Sequence, residues 1–199
     1  FDKGTVSRYL SILDSLHITK KEIPVTEKIP EKSRKGIYII DDNFINFRFR
    51  FIFRNRSFLE ERNVSKVLSR IKNSISGLLA KNYEKVSAEI LKEALSTGNI
   101  PLHFETFGRW WNKNQEIDLL AVNHTTNEIL FGEVKWPAKP LGTNIYEELK
   151  SKSKYVLWGR TGRKEHFCLF SRAGFTEAMI DAAKKDNVLL FHQDKFPGY

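Results

Sequence analysis

This 199-residue sequence has almost no cysteine and no long apolar run. Its single cysteine, Cys168, excludes an intrachain disulfide framework and suits a reducing compartment. Because Cys168 lies in the apolar run His-Phe-Cys-Leu-Phe, we expect a buried thiol rather than a nucleophile. No stretch approaches the roughly 18 uninterrupted apolar residues of a membrane helix, and the start shows no secretory signal. These absences predict a soluble cytoplasmic protein without a membrane partner.

The sequence also lacks a Gly-x-x-x-x-Gly-Lys-[Ser/Thr] motif, so no ATP site of the P-loop kind is expected within it. Acidic residues are in deficit, since 33 Lys and Arg stand against 24 Asp and Glu, for a net charge of +9. Such a charge favours polyanionic partners, with DNA first and an anionic membrane surface second. The alternative is a basic soluble protein without such a partner, because the charge is spread along the chain.

The N-terminal quarter has the pattern of an incomplete DNA-binding module. Residues 5–17 have apolar residues at helical spacing, and strands are predicted at 21–25 and 36–40 around a polar segment. Helix, strand, polar tip and strand are the second half of a winged helix, so residues 1–55 are predicted to be a partial winged-helix segment. The helix face predicted to contact DNA carries Ser7, Arg8 and Ser11. A protein-contact or spacer role is the alternative.

Between residues 41 and 97 the sequence predicts mainly helix. Phenylalanines alternate with arginines from 44 to 53, which favours a packed helix over a nucleic-acid stacking platform. Two further helices are predicted, at 64–75 and at 78–95. In the second one, Glu84 shares the apolar side, whereas Glu89 lies on the solvated side. A carboxylate on the buried side of a helix needs a cation or a metal as a partner, which makes Glu84 a candidate site residue.

Beyond residue 98 the pattern predicts an α/β domain with its sheet inside and its helices outside. Strands are expected at 100–107, 115–122, 128–135, 166–171 and 188–191, and helices at 144–156 and 175–185. The chain therefore has room for one ordinary domain, assigned to residues 56–199, beside the smaller N-terminal segment.

The hairpin of residues 115–135 carries charges that an apolar strand pair does not need. Period-2 alternation predicts one shared face for Glu116, Asp118, Leu120 and Val122. Asp118 is then expected opposite Gly132 or Glu133, with Lys135 beside them. Two carboxylates and the backbone carbonyl of Val134 would form a hard oxygen site for Mg²⁺ or Mn²⁺. In that site Lys135 could orient a water molecule or neutralise developing charge. A buried ion pair without a metal is the alternative.

These residues resemble the motif set of the PD-(D/E)XK nuclease superfamily. The resemblance rests on Glu84, the strand Glu116-Ile117-Asp118 and the strand Glu133-Val134-Lys135. More closely, Gly108-Arg109-Trp110-Trp111 with the hairpin, Tyr38–Phe47 and Phe170–Phe175 resemble the C-terminal region of archaeal DEXX-box ATPases, the DUF234 domain. One departure is that Ile117 precedes the aspartate where the superfamily often has proline, and Glu116 could compete for the metal.

The resemblance implies a restriction-endonuclease-like mixed β-sheet flanked by helices, cut from a longer protein with an upstream ATPase domain. It further implies that Asp118 and Glu133 bind the metal, that Lys135 is the catalytic lysine and that Glu84 is the helix acid. The expected function is metal-dependent hydrolysis of DNA phosphodiesters. The alternative is a catalytically silent DNA-binding or protein-contact module that regulates the ATPase. The basic and aromatic residues predicted to contact DNA here are Arg109, Trp110, Arg160, Arg163 and Lys164.

Overall fold

The computed structural model describes residues 2–193, which form two compact units. The first unit is Phe1–Ile23 with Ile29–Leu78, and the second is Pro24–Lys28 with Leu79–Tyr199. This division reflects packing alone, and the functional assignment of residues 1–55 and 56–199 stays a prediction.

The first unit begins with the predicted helix. Helix α1 (Lys3–Ser15) starts at Asp2, whose carboxylate accepts from the Thr5 amide at 2.9 Å, and it contains no buried residue. Strands β1 (Thr19–Glu22) and β2 (Ile37–Ile40) pair antiparallel. The prediction of a strand at 21–25 was wrong at both ends, because Pro24 has no amide for the ladder.

The phenylalanine-rich segment forms several short helical pieces in place of one regular helix. Helix α2 (Asn43–Phe47) is followed by a π-helical turn (Arg48–Ile52), a 3-10 turn (Phe53–Asn55) and α3 (Arg56–Glu60). Phe51 is buried, and its ring centroid lies 5.1 Å from that of Phe47. The Asn55 side-chain amide donates to the Phe51 carbonyl at 2.6 Å, which supplies a partner within the irregular turns. The predicted packed helix is therefore wrong in part: Phe51 is buried, but Phe44, Phe49 and Phe53 are exposed.

A single helix, α4 (Val64–Ser96), replaces the two helices predicted at 64–75 and 78–95. The prediction of a break was wrong because Gly77 is accommodated inside an uninterrupted helix, where glycine costs only about 1 kcal/mol. The helix ends before Gly98, which has the positive φ of +76° that favours glycine at this position.

The second unit contains a five-stranded mixed sheet in the order β3-β4-β5-β6-β7. Its strands are β3 (Thr106–Trp111), β4 (Glu116–Asn123), β5 (Glu128–Lys135), β6 (Lys164–Ser171) and β7 (Leu189–His192). The pairs β3–β4 and β4–β5 are antiparallel, and β5–β6 and β6–β7 are parallel. The predicted mixed sheet is confirmed.

The first strand of this sheet lies later in the sequence than predicted. A strand was expected at 100–107, but β3 begins at Thr106 and continues through Trp111. Pro101 prevents regular pairing of the earlier residues, and Ile100 and Phe104 are buried in an irregular segment. The edge of β3 is covered in part by residues 24–28, since the Val25 amide donates to the Arg109 carbonyl at 2.9 Å.

Helices pack on both faces of the sheet. Helices α5 (Thr143–Ser153) and α6 (Glu177–Asp186) contribute Tyr146, Leu149, Met179 and Ala183 to a core on one face. On the other face α4 contributes Tyr83, Leu91 and Ala94 to a second core. Among residues 2–193, no helix combines the length and the apolar character that a bilayer crossing requires.

Gly132 lies in β5 against the side chains of Leu119 in β4 and Cys168 in β6. A Cβ atom at this position would lie 2.8 Å from the Cys168 sulfur and 2.9 Å from the Leu119 Cβ. The absence of a side chain at Gly132 therefore leaves room for the side chains of Cys168 and Leu119 in the core. Cys168 is fully buried, as predicted, and burial raises the pKa of its thiol well above the ordinary value.

Candidate functional site

The charged residues of the hairpin meet at the carboxyl end of β5. The ladder between β4 and β5 ends at the pair Leu119–Gly132, and Asp118 and Glu133 are the next residues of their strands. The predicted register of the hairpin is therefore confirmed. The Asp118 carboxylate accepts a hydrogen bond from the Val134 amide at 2.9 Å, which fixes its side chain across the strand pair.

A β-bulge lies next to Asp118. Gly108 pairs with Leu120 and Trp110 with Ile117, so two steps along β3 match three steps along β4. Such bulges reorient side chains and are frequent beside active sites. Here the bulge places Ile117 in the same core as Leu120 and turns Glu116 away from it. The prediction that Glu116 shares the face of Leu120 was wrong because strict alternation fails at this extra residue.

Asp118 is held in an environment that disfavours its charge. Burial, followed by the charge of Glu133 and then that of Glu84, raises the pKa of Asp118 to about 6. The hydrogen bond from Val134 and the charge of Lys135 oppose this rise. The carboxylates of Asp118 and Glu133 thus repel each other, and a cation between them would relieve that repulsion.

Glu133 is buried, at 3% exposure, and two lysines neutralise it. Lys135 Nζ donates to Glu133 Oε1 at 2.6 Å. Lys152 Nζ donates to the two carboxylate oxygens at 2.9 and 3.0 Å. Burial by itself would lower the pKa of Lys135, but the hydrogen bond and charge of Glu133, with the charges of Asp118 and Glu148, raise it above its ordinary value. Lys135 therefore carries its charge at neutral pH.

Lys152 was missed as a site residue, although the sequence carried a signal for it. It lies on α5 at helical spacing from Leu149 and Val156, both buried in the core. A lysine on the apolar face of a helix needs an anionic partner, which is the same reasoning that selected Glu84. Here the partner is Glu133, from the neighbouring strand.

Glu84 lies on α4, and its charge affects the pKa of Asp118. Its carboxylate accepts from Lys81 Nζ at 2.5 Å, and one of its oxygens is 4.0 Å from Arg109 Nε. Arg109 also forms an ion pair with Glu116. Glu84 contributes to the raised pKa of Asp118, so the two acids are electrostatically coupled. Glu116, in turn, is directed to Arg109.

The oxygen donors suit Mg²⁺ or Mn²⁺ in their chemistry, because carboxylates are the ligands these ions prefer. Asp118 and Glu133 are adjacent, and the Val134 carbonyl stays a predicted third ligand. In the described part of the chain, no cluster of three or more His, Cys, Asp or Glu side chains has the arrangement of a metal site.

The residues predicted to contact DNA are divided between surface and core. Exposed positions include Arg160 and Lys164 in the second unit and, on α1 in the first unit, Ser7, Arg8 and Ser11. Lys164 also pairs with Glu128 at 3.0 Å. Trp110 is only 6% exposed and packs in the core with α5 and α6, so its ring offers no free face to a base.

Arg163, another residue of that set, is bound to the backbone at the end of α5. Its guanidinium donates to the carbonyls of Val156 at 2.6 Å, Trp158 at 2.8 Å and Ser153 at 3.2 Å, and it forms an ion pair with Glu165 at 2.7 Å. The Ser153 carbonyl lies in the last turn of α5, where carbonyls lack partners within the helix, and the other two carbonyls lie in the loop that follows. The described geometry gives Arg163 a structural role, and its contact with DNA stays a prediction.

Comparison with known proteins gives two matches. The family DUF234, described as "Archaea bacterial proteins of unknown function", matches residues 48–151, which is more than half of the chain. A curated relative, "Uncharacterized protein MJECL04" of Methanocaldococcus jannaschii, is 34% identical over 200 residues. That match covers 98% of this chain and 42% of the relative, so the chain spans less than half of that protein's length. No solved structure matches the chain.

Proposed function

Because this chain belongs to the DUF234 family, whose function is undefined, we propose a function from the site itself: metal-dependent hydrolysis of DNA phosphodiesters by a PD-(D/E)XK-type centre. The observation that carries the proposal is the convergence of Asp118, Glu133 and Lys135 at the end of β5. A buried glutamate and a half-buried aspartate beside a lysine, next to a β-bulge in a mixed sheet, cost stability that a purely structural role does not explain.

In this proposal Asp118 and Glu133 present oxygens to Mg²⁺ or Mn²⁺. The bound ion would supply a polarised water molecule and positive charge for the phosphoryl group. Lys135 holds its proton at Nζ and, once it is released from Glu133, can orient the attacking water or neutralise the phosphoryl oxygens. Lys152 balances the charge of Glu133 from α5.

DNA is the proposed substrate because the chain is strongly basic, with a net charge of +9. Arg160 and Lys164 are exposed in the second unit and would contact phosphates. In the first unit, we further propose that residues 1–55 act as a partial winged helix whose exposed α1 residues Ser7 and Arg8 contact the duplex. The much longer relative is consistent with an attached upstream domain, proposed to be an ATPase.

A second candidate function is a catalytically silent DNA-binding or protein-contact module that regulates the attached ATPase. The observation that favours it is the double neutralisation of Glu133 by Lys135 and Lys152, which satisfies the buried charge without a metal. A stable ion-pair network of this kind can persist after catalysis has been lost.

Incubation of single-stranded, nicked and supercoiled DNA with the protein and Mn²⁺ or Mg²⁺ separates the two candidates. We expect cleavage by the parent protein and by Lys139→Met, in which an exposed lysine outside the site is removed. Asp118→Asn and Lys135→Met should lose cleavage while they retain DNA binding. No cleavage of any DNA form favours the silent module, and cleavage that persists in both site variants refutes the assignment.

A further inference from the structure

A groove of about 690 Å³ lies in the second unit beside the carboxyl ends of three parallel strands. Its lining includes Tyr83, Val86 and Ile90 from α4, Trp136 from the end of β5 and Arg172 from the end of β6. Crevices outside the carboxyl ends of parallel strands are the usual ligand positions in open α/β sheets. The groove has the volume of a small-molecule site.

The groove presents an aromatic ring with a cation already placed over it. The guanidinium of Arg172 lies 4.9 Å from the centroid of the Trp136 ring, and Arg172 is exposed. The Tyr83 ring meets Trp136 at 5.1 Å with its edge, and the Tyr83 hydroxyl donates to the Gln193 carbonyl at 3.2 Å. Val86, 51% exposed, adds an apolar surface. A flat apolar ring beside an anion would match this lining.

Two residues that line the groove are sequence neighbours of charged residues of the candidate site. Trp136 directly follows Lys135, and Tyr83 directly precedes Glu84. The Arg172 amide donates to the Lys135 carbonyl at 3.3 Å, which joins the groove to the strand end that carries the lysine. The groove and the pair Asp118 and Glu133 therefore lie at the same end of the sheet.

We propose that this groove binds one nucleotide of a single DNA strand, whose base replaces the Arg172 guanidinium on the Trp136 ring while Arg172 turns to bind a phosphate. Base stacking on aromatic side chains and phosphate contacts from arginine are the two main contributions to single-strand binding. A paired base within a duplex has both faces covered by its neighbours, so it would have to unstack before it entered the groove. The inference rests on the proposed function and narrows its substrate to single-stranded DNA or frayed duplex ends.

Binding of fluorescently labelled oligo-dT and of a blunt hairpin duplex, measured by anisotropy in EDTA, tests the groove without any hydrolysis. Arg172→Gln and Trp136→Leu should each weaken oligo-dT binding by roughly tenfold and should change duplex binding by less than about twofold. Trp136→Phe keeps a ring and should keep most of the affinity. Lys185→Gln, which removes one exposed charge from α6, is the matched control and should behave like the parent.

The groove proposal is refuted if oligo-dT binding is unchanged in Arg172→Gln, or if oligo-dT and duplex binding weaken equally. Arg172 is exposed, so its replacement should not prevent folding, and the Trp136→Phe variant separates loss of the ring from loss of packing. Because metal is absent, a protein with no nuclease activity can still confirm the groove. An active nuclease whose groove variants bind normally would refute the groove alone.

Discussion

Replacement of Asp118 by asparagine should make the metal-free protein more stable at neutral and alkaline pH. Asparagine keeps the size of the side chain and an oxygen that can accept from the Val134 amide, now at 2.9 Å from Asp118. It removes the charge that burial and Glu133 disfavour. A residue that stabilises the fold when it is neutralised is retained for another reason, which we propose to be metal binding.

The size of the effect follows from the raised pKa. The pKa of Asp118 is about 6 in the folded protein against an ordinary 3.8, so the folded state binds the proton more tightly than the unfolded chain. Stability is therefore lost as pH rises from about 4 through about 6, with a total cost of roughly 3 kcal/mol. We expect Asp118→Asn to exceed the parent in stability by about 1 to 3 kcal/mol at pH 8 and to match it near pH 4.

Urea unfolding at pH 4 and pH 8, followed by tryptophan fluorescence, measures this difference. All four tryptophans of the chain lie in the second unit, so their signal reports the unit that carries Asp118. Asp181→Asn, at an exposed position of α6, is the control and should show no pH-dependent gain. An Asp118→Asn protein that is less stable than the parent at pH 8, or a difference that does not change with pH, would refute the reasoning.

Three further predictions follow from the packing and the ion pairs. Gly132→Ala should lose about 1 to 3 kcal/mol of unfolding free energy, because its new methyl group would lie 2.8 Å from the Cys168 sulfur. Arg163→Ala should lose about 1 to 3 kcal/mol, since it leaves the carbonyls of Val156 and Trp158, in the loop after α5, without their charged donor. A double-mutant cycle of Lys152→Met and Glu133→Gln, measured by urea unfolding, should give a coupling of about 0.5 to 3 kcal/mol.

Each of these predictions has its own contrary outcome. Gly132→Ala at parental stability would mean that the side chains of Leu119 and Cys168 can move away from the new methyl group without a loss of stability. Arg160→Ala, the exposed arginine of the same turn, should stay within about 0.5 kcal/mol of the parent, and an equal loss in both arginine variants would contradict the structural role of Arg163. Additive effects of Lys152→Met and Glu133→Gln on the free energy of unfolding would show that the hydrogen bonds between these two residues do not stabilise the fold.

The parts of the fold that the sequence predicted well depend on local patterns. Alternation along 128–135 and a short polar turn were enough to predict the hairpin and to place Asp118 near Gly132 or Glu133, and the ladder pairs the neighbouring Leu119 with Gly132. The apolar run around Cys168 likewise predicted a buried strand, and β6 is buried over its second half. In each case a few adjacent residues determine both the element and its orientation.

The parts that the sequence did not predict depend on distant contacts. The bulge beside Asp118 arises from pairing with β3, so strict alternation placed Glu116 on the wrong face. Trp110, with Trp111 an aromatic pair in the sequence, was predicted to contact DNA, yet the helices on that side of the sheet bury it. Lys152 had no visible partner in sequence, since Glu133 lies 19 positions away and meets it only across the strand and helix layers.

Titration calorimetry with Mn²⁺ tests the central claim most directly. We predict binding of the ion by the parent protein at up to millimolar concentration, and loss of that binding in Glu133→Gln and in Asp118→Asn, with Asp181→Asn binding like the parent. If the parent binds no ion at millimolar Mn²⁺, or if Glu133→Gln and Asp118→Asn bind it as the parent does, the acidic pair at the end of β5 is not a metal centre.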